Sequence, residues 1–204
     1  MPMSLLQMQN LAAVCAPAVA PQTLAAVVEV ESGFEPLAIG VNGRPPTRLL
    51  FGVKADAVTK AERLIADGAS VDLGLSQINS KNLAGLGLSV SDAFDPCLNL
   101  RAGAQLLAAN YEQAARSAGD EQVALRTALS LYNTGRFDRG FQNGYVAKVT
   151  RAARRLATVS TDMTERAAKP APTANAAQTW DVFAQPQTWA SGFVFNSQTP
   201  GEDH

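Results

Sequence analysis

The chain has 204 residues, 47% of them hydrophobic, and a formal net charge of −1. That length supports one domain with a real core, and that hydrophobic share excludes a disordered chain. The balanced charge argues against a nucleic-acid binder, which would carry a basic surplus. Alanine and leucine outweigh β-branched runs, which favours a mostly helical protein.

No apolar run reaches the roughly 18–20 residues needed to cross a bilayer. Ser4–Cys15 reads as a first helix rather than a signal peptide. The Ala-Pro-Ala-Val-Ala that follows it faintly resembles a cleavage site, but the first cationic side chain is Arg44, and Gln7, Gln9 and Asn10 interrupt the apolar stretch. Any export signal would then lie upstream or be absent. Pro21–Ser32 is a second predicted helix, with Pro21 suited to its first turn and Gly33 to a left-handed end. Ile39–Pro46 carries Gly, Asn and a Pro-Pro pair and reads as a loop or short hairpin. Lys54–Asp67 is helical, with Ala57, Val58, Ala61, Leu64 and Ile65 at helical spacing. Gly68–Leu73 breaks that pattern, and Gly74–Asn79 leads into another helix.

Asp95-Pro-Cys97 marks a turn before a strong helix over Leu98–Ser117, which places Leu100, Ala104, Leu107, Ala108 and Tyr111 on one face. Val123–Tyr132 follows, broken by Asn133-Thr-Gly135, and Tyr145–Val159 is the last predicted helix. From about Ser160 the composition changes. Pro170 and Pro172 sit among Ala, Thr and Asn, no Lys or Arg follows Lys169, and both tryptophans, Trp180 and Trp189, fall here. The expectation is one domain over residues 1–159 and a flexible extension over 160–204. Its aromatic segments Trp180–Phe183 and Trp189–Phe195 either recruit a partner or pack back on the domain.

The two cysteines, Cys15 and Cys97, lack zinc-site spacing, and the only histidine is His204, so neither a metal nor a cofactor is expected. In an oxidising compartment the pair could form one disulfide; otherwise they are two buried thiols.

Three segments could carry chemistry. Leu24, Val27, Val28 and Glu31 are spaced i, i+3, i+4 and i+7 and share one helix face. Glu31 ends this apolar stripe. Burial and the helix C-terminus both disfavour its charge, which suits a general acid working near neutrality. The plainer alternative is a surface residue at a helix end. Glu29 projects away from the stripe and reads as a solvated charge. Tyr132 and Asn133 sit where a helix stops and can reach into a cleft, or else pack and cap there. Gln77, in Gly74-Leu-Ser-Gln-Ile78, could hydrogen-bond an amide or hydroxyl of a ligand.

Glu-Ser at the end of an early helix, then Gly-Leu-Ser-Gln-Ile, then Tyr-Asn-Thr-Gly resembles, in order and spacing, the lysozyme-like lytic transglycosylases. The resemblance is closest to the transglycosylase component of bacterial type IV secretion systems. Cys15–Thr23, Val30–Val41, Ala93–Leu100 and Gly135–Val146 support that subgroup, and the likeness covers about residues 5–157. It implies a mainly α, lysozyme-like fold with a small hairpin insertion. Glu31 would be the acid/base, with Ser32, Gln77, Tyr132 and Asn133 holding the substrate or orienting the glutamate, and Tyr145 lining the cleft. Ser76 departs from the methionine of many relatives, which implies a more polar cleft floor; Leu131 replaces a common alanine.

The matching motifs hold no second carboxylate, which fits a family in which one glutamate makes both proton transfers. The resemblance implies a periplasmic enzyme that cleaves peptidoglycan to 1,6-anhydro ends beside a secretion or conjugation apparatus. The alternatives are a hydrolytic muramidase and a non-catalytic wall-binding assembly factor.

Overall fold

The computed structural model of the chain describes residues 1–43 and 45–168, of which 159–168 are described by their backbone alone. The compact unit considered is Met1–Arg166; the second, Ala167–His204, lies almost wholly outside the described residues, and with it the predicted aromatic extension beyond Ala168.

Helix α1 (Leu5–Cys15) opens on a capping box. The Ser4 hydroxyl accepts from the Gln7 N–H at 3.2 Å, and the Gln7 side chain accepts from the Ser4 N–H at 2.9 Å. One of the glutamines that interrupts the apolar stretch is thus a cap residue. Helix α2 (Pro21–Ser32) has the predicted bounds, with proline in its first turn and Gly33 at φ 61° ending it. It is followed by β1 (Ala38–Val41), β2 (Thr47–Leu50), α3 (Lys54–Ala66), β3 (Val71–Leu73), β4 (Ile78–Asn79) and α4 (Leu83–Leu86). Then come α5 (Pro96–Ala115), α6 (Glu121–Thr134), the short α7 (Arg139–Gln142) and α8 (Tyr145–Ala168). Asp95 and Asp120 cap α5 and α6 through their carboxylates. Helix α8 continues past the expected end at Val159. Among the described residues no helix is long and apolar enough to cross a membrane.

The fold is mainly α with a small antiparallel sheet, as the resemblance implies. The sheet is larger than expected: four strands in the order β2-β1-β3-β4. Gly68–Leu73 is not merely a break, and Gly74–Asn79 leads into a strand before any helix. Val71 and Leu73 are buried and flank Asp72, an alternation too short to read as a strand from sequence.

Two large buried clusters and a small third one, Ala114 with Ala124 and Leu131, make up the core of the described residues. Leu24, Val27 and Val28 of α2 pack with Met8 and Ala12 of α1, Leu100 and Leu107 of α5, Ala128 and Leu129 of α6, and Val146 and Val149 of α8. Ile39, Val71, Leu73 and Ile78 of the sheet pack with Ala57 and Ala61 of α3, Phe94, and Ala102 of α5. Helix α5 thus serves both large clusters. Its second residue, Cys97, is disulfide-bonded to Cys15, the last residue of α1.

Candidate active site

Between the helical cluster and the sheet lies a cleft of about 470 Å³, lined by Glu31, Asn42, Asp72, Gln77, Asn79, Asn82, Asn110, Tyr132 and Asn133, among others. Carboxamides dominate its wall, a chemistry matched to amide- and hydroxyl-bearing ligands.

Glu31 reaches this cleft because Leu24, Val27 and Val28, on the same face of α2, are fully buried and the helix ends one residue later. Its Oε1 accepts a hydrogen bond from the Tyr145 hydroxyl at 2.5 Å. Burial raises the Glu31 carboxyl to about 7; the Tyr145 bond opposes this and the nearby Asp72 charge adds to it. At the end of α2, the Arg48 guanidinium of β2 donates to the Ser32 carbonyl, placing a cation where the helix dipole is negative.

Burial, and then the charge of Glu31, push the hydroxyls of both Tyr145 and Tyr132 up, so both remain protonated donors. They donate to different groups. Tyr132 lines the cleft but donates its hydrogen bond to the Ser76 carbonyl at 2.8 Å, not to Glu31. Tyr145 is buried and holds the glutamate from the helical side rather than lining the cleft as expected.

The Gly74–Gln77 turn is held from beneath. The Asn99 carboxamide donates to Leu73 O at 2.9 Å and Ala93 O at 2.7 Å, and accepts from Ser76 N at 2.7 Å. A side chain at Gly74 (φ 74°) would meet Ala93 O and Asn99 Nδ2, both at 2.4 Å, so only glycine fits. Gln77 is a non-glycine residue at φ 48°. Its Nε2 donates to Gly74 O at 2.8 Å and Ala38 O at 3.3 Å. Both partners are carbonyls, so the amide nitrogen must face them, and Oε1 is left to accept from a ligand N–H or O–H.

Two expected contributors face elsewhere. Ser32 is fully buried and donates to the Val28 carbonyl at 3.1 Å, so its hydroxyl does not reach the cleft. Ser76 is also fully buried, its Oγ without a hydrogen-bond partner and packed where Gly103 leaves room. It does not make the cleft floor more polar. Glu29 is not a freely solvated charge: it pairs with Arg155 of α8, and its other oxygen is buried without a partner. Asn133 lines the cleft and accepts from Asn143 Nδ2 at 2.9 Å, while Asn143 Oδ1 accepts from the Tyr145 N–H at 3.0 Å.

Sequence reasoning missed Asp72, a second carboxylate in the same cleft. It sits two residues before the Gly74 motif, and its only sequence signal is the apolar-polar-apolar triplet Val71-Asp72-Leu73.

The model of the transglycosylase SLT domain family matches residues 8–154. The chain is 42% identical over 182 residues to Protein virB1 of Agrobacterium fabrum, covering 89% of this chain and 72% of that one. It is 45% identical over 149 residues to the type IV secretion system protein virB1 of Brucella abortus, covering 70% of this chain and 62% of that one. A third relative, Protein virB1 of Rhizobium radiobacter, is 43% identical over 155 residues, 76% of this chain and 64% of its own. The first of these similarities is long enough to extend beyond residue 160, farther than the motifs alone reach. No solved structure matches.

Proposed function

The chain belongs to the transglycosylase SLT domain family and is a lytic transglycosylase, and from that premise we propose that it cleaves peptidoglycan with Glu31 as the acid and then the base. The observation that carries this reading is the Glu31 carboxyl, half-buried at the cleft, raised to about 7 and held by Tyr145. A group poised there is protonated often enough to give a proton and ionised often enough to take one.

In the first step protonated Glu31 gives its proton to the oxygen joining N-acetylmuramic acid to N-acetylglucosamine. The bond from that oxygen to the muramoyl anomeric carbon breaks, and its electron pair leaves with the oxygen. The substrate's N-acetyl oxygen supports the positive charge left on the carbon. In the second step ionised Glu31 takes the proton of the muramoyl 6-hydroxyl, whose oxygen closes on the anomeric carbon. The product carries a 1,6-anhydro end and no water is consumed. Because the nucleophile belongs to the same sugar, the reaction gains from proximity. The Tyr145 hydroxyl stabilises the ionised glutamate between the two steps. Gln77 Oε1 and the Asn133 amide are positioned to meet the sugar's N–H and O–H groups.

Cleavage would open the wall locally in the periplasm for a type IV secretion or conjugation apparatus, the assembly named for the Brucella relative. The catalytic work is assigned to residues 1–159, and partner recruitment to the segment from residue 160. The test is digestion of purified peptidoglycan by the protein and by Glu31→Gln, with mass spectrometry of the fragments. Anhydro ends from the wild type and none from the variant support the reading. Reducing ends would make it a muramidase, and undiminished cleavage by the variant would remove Glu31 from the role.

A further inference from the structure

We propose that the outer face of α8, with the α6–α7 turn beside it, is a membrane-contact surface that lays the enzyme on an anionic lipid bilayer through two phenylalanines and a row of cations. This surface goes beyond the proposed cleavage and stands whether or not Glu31 is the acid.

Phe137 and Phe141 are nearly half exposed, at 46% and 45%, and are the only exposed phenylalanines among the described residues. Their exposure is built into the turn. Ser130 of α6 is fully buried; its hydroxyl donates to the Arg136 carbonyl at 2.7 Å and accepts from the Gly140 N–H at 2.8 Å. A side chain at Gly140 would come within 2.5 Å of Ser130 Cα, so α7 is seated directly on α6. With the turn fixed in this way, neither phenylalanine can fold inward without breaking the seat. Val123 of α6, also exposed, lines the same shallow hollow as both rings. Of the Gly135–Val146 segment, the catalytic site uses Asn143 and Tyr145, and neither Phe137 nor Phe141 lines the cleft.

The apolar surface runs on into a cationic one. Phe141 and Val123 line a second hollow with Arg126, Arg151 and Arg154, and Arg151 lines a third with Lys148 and Arg155. All five cations are exposed. Lys148, Arg151 and Arg155 recur at i, i+3 and i+7 and so share the outer face of α8. Its opposite face, with Val146, Val149, Ala152 and Leu156, is buried in the helical cluster. Among the described residues only Arg155 of the five is ion-paired, with Glu29. The whole chain carries a net charge of −1, so this face is a local excess of positive charge.

An anionic bilayer complements this combination. Unpaired guanidinium and ammonium groups on long side chains hold no fixed geometry, which suits a diffuse field of lipid phosphates. Exposed aromatic rings beside them gain by entering the boundary between headgroups and acyl chains. The glycan strand is the poorer fit, because none of these residues, and no residue of α8, lines the cleft. For the same reason, a protein resting on this face keeps its cleft open to the wall.

The test is flotation of the full chain with vesicles of equal parts phosphatidylglycerol and phosphatidylcholine, and with vesicles of phosphatidylcholine alone. The wild type should bind the anionic vesicles at least about tenfold more tightly, and added salt should weaken that binding. Arg151→Glu with Arg154→Glu should lose about tenfold or more. Phe137→Ser with Phe141→Ser should lose severalfold and keep the salt dependence. Both double variants should cleave soluble glycan fragments like the wild type, with folding followed by circular dichroism; Lys148→Glu replaces a double variant that does not fold. Equal binding to the two kinds of vesicle, or folded variants that bind like the wild type, would overturn the proposal. So would variants that keep the vesicles but lose intact peptidoglycan or a protein partner. Glu31→Gln should float like the wild type; if it also cleaves like the wild type, the catalytic reading fails and the membrane surface stands.

Discussion

The Tyr145 hydroxyl donates to Glu31 Oε1 at 2.5 Å across 114 residues of sequence, joining the start of α8 to the end of α2. The bond favours the ionised glutamate and opposes the effect of burial. Tyr145→Phe removes it, so the Glu31 carboxyl should rise further above about 7 and the alkaline limb of activity should move to higher pH. A hydrogen bond to a charged group is worth about 1.5–3 kcal/mol, so the shift should be roughly one to two pH units and kcat should fall about 10- to 100-fold. A pH-activity profile checks this. An unmoved limb would reduce Tyr145 to a packing role.

A carboxyl raised from 4.5 to about 7 costs the fold stability once the unfolded chain ionises. Below pH 4.5 the group is neutral in both states and no cost exists. The cost builds as pH rises from 4.5 to 7 and is constant above, at about 3 kcal/mol. Glu31→Gln should therefore match the wild type in urea unfolding at pH 4 and exceed it by up to about 3 kcal/mol at pH 8. Equal stabilities at pH 8 would mean that Glu31 is not a strained buried acid.

Asn143 joins the ends of α6 and α8 by accepting from the Tyr145 N–H and donating to Asn133. Asn143→Ala loses both contacts and should lower kcat several-fold while broadening the Glu31 titration. Asn143→Asp keeps the acceptor for Tyr145 and should retain most activity. Loss of activity to the same degree in both variants would show that the Asn133 contact, not the placement of Tyr145, matters.

A methyl group at Gly103 would lie 2.5 Å from Ser76 Oγ and 3.3 Å from the Tyr132 hydroxyl. Gly103→Ala should cost about 1–3 kcal/mol by overpacking and should disturb the carbonyl to which Tyr132 donates. Ser76→Ala, which removes a buried hydroxyl without a partner, should be neutral or stabilising by about 1 kcal/mol. Denaturant titration of the two variants separates these outcomes.

The Cys15–Cys97 bond closes a loop with a sequence separation of 82. By loop-closure entropy it contributes about 4–5 kcal/mol at most. Reduction, or Cys15→Ser with Cys97→Ser, should lower Tm by many degrees while leaving the cleft, which neither cysteine lines, able to act at low temperature. A Tm insensitive to reductant would place the stability elsewhere.

The amino-acid sequence by itself determined where the long helices lie, because their signals are local: Pro21 and Gly33 bound α2 as expected, whereas α6 begins at Glu121, before the expected Val123, and α8 runs past Val159. It also put Glu31 at the end of an apolar stripe, since helical spacing alone decides which side chains share a face. The motifs brought Gln77, Tyr132 and Asn133 to one site, and the structure does place them around one cleft with Glu31. Which atoms meet was decided only by tertiary packing. Tyr145 rather than Tyr132 reaches the glutamate, Ser32 and Ser76 turn inward, and Asp72 faces the cleft. Each of these depends on how elements distant in sequence dock: α2 on α8, the Gly74 turn on Asn99 and Gly103, and β3 between β1 and β4. Spacing along one element sets a side chain's direction relative to that element alone, and a three-residue strand is too short to declare even that.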